Sequence, residues 1–137
     1  MYETHQLSHA DAMRAIEASR QALEARKAGA AIAVVDAHGE LIAFLRTDDC
    51  PLASINNAVH KAFTAARERA ESGAVGQRAR DEGWPLTNFG DLRYTGWGGA
   101  VPVIYAGAVV GAVGVSGLTE ADDIAKPRNG AQAIAKT

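Results

Sequence analysis

"AIAVVDAHGELIAFLR", Ala31 to Arg46, is the stretch on which the fold turns. Two β-suited runs, "AIAVVD" and "ELIAFLR", flank "AHG", and a His38-Gly39 pair between such runs is a hairpin signal. A hairpin makes its two strands antiparallel. Both runs are apolar on successive residues, without a clean alternation. Such strands are expected to be covered on both faces, by helices or by a partner subunit.

A second hairpin is expected in "GGAVPVIYAGAVVGAVGVSG", with strands over Val101–Tyr105 and Val109–Val115 and a tight connection at Ala106-Gly107. Gly111 and Gly114 inside a strand mark a bulge or a close backbone approach. Ahead of the first hairpin, Ser8 as N-cap, Asp11 three residues on, and Met13, Ile16 and Leu23 at helical spacing predict a helix from about His9 to Ala28. Lys27 suits the negative end of its dipole and Gly29 its C-cap. "SINNAVHKAFTAARE", Ser54–Glu68, reads as the next helix, with Ile55, Val59, Ala62, Phe63, Ala66 and Ala70 on the core side. Ser72–Trp97 reads as a short helix and then an irregular loop, with a further strand over Leu92–Trp97. The last segment opens on Thr119 as N-cap, and Pro127 is expected to interrupt or restart its helix. Helix, hairpin, helix, loop, hairpin, helix is an α+β order with a mainly antiparallel sheet.

The 137 residues fit one domain spanning the chain, and 47% apolar with 22% charged residues is ordinary globular composition. A net charge of -2 offers no basic stripe for phosphates, so no nucleic-acid partner is expected. No apolar run approaches the roughly 20 residues that span a bilayer, so no membrane partner is expected either. "MYETHQLSH" has no basic-then-apolar leader pattern, and the single cysteine, Cys50, fits a reducing compartment. A cytoplasmic location is the expectation. His5, His9, His38 and His60 have no metal-ligand spacing, and no metal site is expected.

Candidate site residues cluster first on the second helix. His60, Lys61 and Thr64 lie within one turn of each other and of Asn57. By angle alone Asn57, Lys61, Thr64 and Glu68 form a solvated face. The functional reading is a lysine and a histidine lining a pocket for an anion, with Asn57 and Thr64 leaving room beside them. Arg46, at a strand end with Asp48 and Asp49 following, is either a bidentate carboxylate clamp or half of a surface ion pair. Gly96, Gly98 and Gly99 permit backbone N–H groups to approach an anion, without matching a P-loop or dinucleotide fingerprint. Ser116 in "GVSG" lacks the nucleophile-elbow spacing. Asp122 and Asp123 are first-turn acids, or a carboxylate site.

At "PLASINNAVHKAFTAAR" and "GGAVPVIYAGAVVGAVGVSGLTEADD" the chain resembles the GlcG/HbpS family, the haem-degrading domain family also found at the C-terminus of PduO-type cobalamin proteins. The resemblance covers nearly the whole chain. It implies an antiparallel sheet of about five strands flanked by helices, in a profilin-like or PAS-like layout, and homo-oligomers of closely packed subunits. Arg46, Asp48, Lys61, Thr64, Gly99, Pro102, Gly114, Ser116, Gly117 and Asp123 stand at positions of the shared pattern. Phe63 stands where that pattern often has tyrosine. The expected function is a homo-oligomer that binds haem or a small anionic ligand near a subunit interface. Lys61, His60 and Asp123 would do any proton chemistry, and Arg46, Asp48, Thr64, Gly99 and Ser116 would hold the ligand. The alternative is a small isomerase, tautomerase or lyase acting on an acidic intermediate of aromatic or hydroxy-acid catabolism. There Arg46 would hold a carboxylate while His60, Lys61 or Asp123 moved a proton.

Overall fold

The computed structural model describes residues 1–26 and 28–135, so Lys27 and its expected dipole contact lie outside the described residues. Among these residues a four-stranded antiparallel sheet runs in the order β2-β1-β4-β3, from β1 (Ala31–Asp36), β2 (Leu41–Arg46), β3 (Ala100–Tyr105) and β4 (Ala108–Ser116). Four helices flank it: α1 (His9–Leu23), α2 (Leu52–Glu68), α3 (Ser72–Glu82) and α4 (Glu120–Ala135). The expected strand over Leu92–Trp97 is absent, which corrects about five strands to four. Thr95 there donates its N–H to the Thr64 hydroxyl at 3.0 Å, and Tyr94 packs edge-on against Phe63. That segment is a strap across α2.

The two faces of the sheet differ in side-chain size. Ile32, Val34, Val103, Val113 and Val115 pack with Ala12, Ala15 and Ile16 of α1 and Ile134 of α4. Each buried valine or isoleucine there contributes about 1.5–3 kcal/mol over its exposed state. The other face carries Ala31, Ala33, Ala100 and Ala112 against Ala58, Ala62, Ala65 and Ala66 of α2. Alanine against alanine brings α2 close to the sheet, and Gly114 brings it closer. A Cβ at Gly114 would lie 2.5 Å from the Ala58 carbonyl oxygen and 3.0 Å from the Ala62 nitrogen. Gly111 sits where the β3–β4 register shifts, so the expectation of a bulge or a close approach holds at both glycines.

The first hairpin turns at Gly39 (φ 89°), with the Asp36 carboxylate accepting from the N–H groups of His38 (2.8 Å) and Glu40 (3.0 Å). β1 is buried on both faces, as its composition predicts, while β2 is an edge strand left half-exposed over its middle.

Ser8 and Asp11 close a capping box at the start of α1. That helix ends at Leu23 and not near Ala28. Gly29 is needed elsewhere: a Cβ on it would run into the backbone of Asp48–Cys50, so the chain leaves the helix early to reach that crossing. α4 continues through Pro127, which is fully buried, against the expectation of a break. Packing on α1 and β3 overrides the local penalty. Proline still supplies no N–H to the Asp123 carbonyl four residues back.

Candidate functional site

Three elements meet at the C-terminal end of β4. α2, lying close over Gly114, carries Lys61 to the last turn of the strand, where its Nζ donates to the Val115 carbonyl at 3.2 Å. The first turn of α4 brings Asp123, whose Oδ2 accepts from the same Nζ at 3.1 Å. Its Oδ1 accepts from the Leu118 N–H at 3.0 Å, and the Gly117 N–H also supports the carboxylate. Both residues are buried, Lys61 4% exposed and Asp123 5%. The angular reading of a wet face is thus corrected for Lys61 and for Thr64, because the strap and α4 cover that side of α2.

Gly99 makes room for this pair. Its φ is 130°, and a Cβ there would lie 2.6 Å from the Val115 carbonyl oxygen and 2.8 Å from Lys61 Nζ. Burial pushes the Asp123 carboxyl up from the ordinary carboxylate value, against the opposing pull of the Lys61 ammonium and the Leu118 and Gly117 N–H groups.

The pair floors a cleft of about 310 Å³ whose walls include Ser54, Asn57, Ser116 and Trp97. An ammonium has three donors, and Lys61 uses two of them on Val115 and Asp123. The side chains of Ser54, Asn57 and Ser116 make no hydrogen bond to any described residue, although Ser54 and Ser116 are 6% and 5% exposed. Among the described residues the one solvent-inaccessible side-chain oxygen or nitrogen without a partner is Ser19 Oγ, which does not line the cleft, so the polar groups of Ser54, Asn57 and Ser116 open onto the cleft and are free to bond what enters it.

The sequence candidates divide. Lys61, Asp123 and Ser116 line the cleft, with Gly99 packed beneath the ion pair. Arg46 and Asp48 line a separate hollow with Arg20, Arg26 and Asp49. Register places Arg46 and Ser116 opposite Ala31 on its two sides, hence on one face of the sheet but two strands apart. Thr64 is fully buried, donating to the His60 carbonyl at 2.9 Å and accepting from Thr95, so it ties the strap to α2. His60 is half-buried and does not line the cleft. Asp122 pairs with Arg26 at 2.5 Å. Sequence reasoning did not single out Ser54 or Trp97. The signal for Ser54 was its spacing from Asn57 and Lys61, three and then four residues, which makes one helical stripe.

The model of one family, described as haem degrading protein HbpS-like, matches residues 7–132. This chain belongs to the HbpS-like family. Among its relatives, Protein GlcG of Escherichia coli K12 is 33% identical over 117 residues, covering 80% of this chain and 81% of that one. An uncharacterized 15.0 kDa protein from the dhaT-dhaS intergenic region of Citrobacter freundii is 39% identical over 94 residues, 66% of this chain and 65% of that one. Among solved structures, a double mutant of Streptomyces reticuli HbpS superposes with a TM-score of 0.87 at 28% identity, covering 96% of this chain and 89% of that one. A PduOC:heme complex superposes at 0.85 with 22% identity, covering 94% and 95%, which shows the shared fold.

The family description makes haem the group to test against the cleft. Haem iron is held by imidazole, thiolate, thioether or phenolate side chains, and none of these lines the cleft among the described residues. Its one cation already has a counter-ion. The cleft of this HbpS-like chain therefore does not fit an axially ligated haem. Iron-ligating side-chain types occur instead in a hollow of about 260 Å³ on the opposite flank, where His5 meets Tyr105 edge-on at 4.8 Å beside Leu7, Val110 and Ile134. Among the described residues no group of three or more His, Cys, Asp or Glu is placed to hold a metal ion, and no helix is long and apolar enough to cross a membrane.

Proposed function

We propose that this protein binds a small anionic molecule in the cleft floored by Lys61 and Asp123. The observation that carries the reading is the unused capacity there: one Lys61 N–H, two serine hydroxyls and the Asn57 amide, all unpartnered among the described residues. An anion arriving at that floor meets donors already in place, so little ordering is needed on binding. Self-association is part of the proposal. β2 leaves Leu41–Leu45 half-exposed along the sheet edge, and Leu52, next to Pro51 of the cleft wall, is 79% exposed.

Calorimetric titration with a panel of small carboxylates, on wild type and on Ser116→Ala and Asn57→Ala, tests the site. Neither side chain is hydrogen-bonded to a described residue, so the variants should keep wild-type stability and bind about tenfold more weakly, the value of one lost hydrogen bond to a charged group. Carboxylate binding indifferent to both substitutions would sink the site assignment. Light scattering coupled to gel filtration tests self-association.

The haem reading has its own support in the family description and in the His5–Tyr105 hollow. Hemin titration with wild type and His5→Ala decides it: a saturable Soret shift lost in the variant supports this hollow, and its absence rejects it. A proton-transfer enzyme remains the alternative for the cleft itself, because Lys61 and Asp123 lie one hydrogen bond apart at its floor. Turnover of keto- and hydroxy-acids equal to buffer background would reject that alternative.

A further inference from the structure

The make-up of the cleft restricts its ligand further, and this inference rests on the anion-binding reading above. The only ionisable side chains lining the cleft among the described residues are Lys61 and Asp123, one positive and one negative. A dianion on the free Lys61 N–H would stand beside the Asp123 carboxylate, itself 3.1 Å from Nζ, with no second cation to offset the repulsion. A monoanion meets one donor cation, two hydroxyls and an amide, which together suit the two oxygens of a carboxylate.

The mouth is of a different character. Trp97 is 61% exposed in a chain with only two tryptophans. Its mount is nevertheless fixed. Gly96 and Gly98 on either side run against Gly76 and Gly73 of α3, so closely that a Cβ at Gly73 would lie 3.1 Å from the Gly98 Cα. Thr95 is bonded to Thr64, and the Trp97 N–H reaches the Thr95 hydroxyl at 3.4 Å. An indole carried on a fixed backbone and standing beside a polar floor offers its face as a platform for a flat group. Pro51 and Leu118 add apolar wall, and a volume of about 310 Å³ lies at the small end of ligand sites.

We infer that the ligand is a small monocarboxylate bearing a flat apolar group, its carboxylate on Lys61, Asn57 and Ser116 and its flat group on the Trp97 indole. Benzoate is the probe. In a Trp84→Phe background, where Trp97 is the only indole, benzoate should change the fluorescence saturably. In calorimetry it should bind about tenfold more tightly than acetate, as expected for one stacking contact with its buried area. Phenyl phosphate at pH 8 should bind at least about tenfold more weakly than benzoate, and benzyl alcohol should not bind. Trp97→Ala should weaken benzoate about tenfold more than it weakens acetate, so that the two bind alike. Acetate and benzoate binding equally, both weakened by Ser116→Ala, would overturn the flat-group inference and leave the anion site standing. Phenyl phosphate binding more tightly than benzoate would overturn the monoanion inference. Binding of no carboxylate at all would overturn the anion site with it.

Discussion

Replacing Lys61 by methionine removes the partner of a carboxylate that is 5% exposed. At 3.1 Å and an effective dielectric of about 20, Coulomb's law gives roughly 5 kcal/mol of attraction between the pair. Against this stands the desolvation of both ions, and burial pushes the Asp123 carboxyl up despite the Lys61 ammonium beside it. The pair is therefore worth little in net stability, while either half alone is costly. Lys61→Met should lose about 3–5 kcal/mol at pH 7, a fall in Tm of roughly 10–20 °C for a chain of this size. Lys61→Met combined with Asp123→Leu should recover most of that loss, to within about 1 kcal/mol of wild type. Urea unfolding followed by far-UV circular dichroism measures all the variants, including Asp123→Leu alone. If the double variant is as unstable as the two single losses added together, the reasoning fails.

The pH dependence carries a definite sign. Because the folded protein holds the Asp123 proton more tightly than the unfolded chain, its contribution is fully present below the ordinary carboxyl value of 3.8 and is lost as pH rises through the higher folded value. The stability of wild type relative to Asp123→Asn should therefore fall as pH rises from about 4 towards neutrality; a relative gain over that range would contradict it. Gly99→Ala should cost about 3 kcal/mol or more by denaturant titration, since the added carbon meets a backbone carbonyl, Lys61 Nζ and a left-handed φ together. Thr64→Val should cost about 1–3 kcal/mol by leaving the Thr95 N–H unpaired, and hydrogen exchange should quicken in the strap before it quickens in the sheet.

The architecture was legible because it depends on local signals. His38-Gly39 and Ala106-Gly107 both turn hairpins, Ser8 caps α1, and β1 is buried on both faces. The misreadings have tertiary causes. Leu92–Trp97 has residues suited to a strand, but its N–H groups go to Asp91, to Thr64 and to Thr95, and Tyr94 packs on Phe63 and Phe89. Pro127 reads as a breaker until its burial between packed elements is known. For the site, a helical wheel assigns Lys61 to water, and no spacing rule places an aspartate 62 positions later against it. The resemblance to family patterns brought Lys61, Ser116 and Asp123 together as candidates, yet it also carried Arg46 and Asp48, which the fold sends to another hollow. Trp97 escaped notice because a loop tryptophan gives no periodic signal.

Pro127 divides α4 into unequal hydrogen-bonded ladders. With no amide hydrogen at position 127, the Asp123 carbonyl is left out of the ladder at the turn that carries the counter-ion of Lys61. Opening the first turn alone would break, besides its own helix bonds, the Lys61–Asp123 contact and the Leu118 N–H bond to Asp123. Protection of its backbone amides would then report the state of the Lys61–Asp123 contact separately from the stability of the whole chain. A residue placed for packing thus leaves the helix one bond short at the turn that bears the buried aspartate.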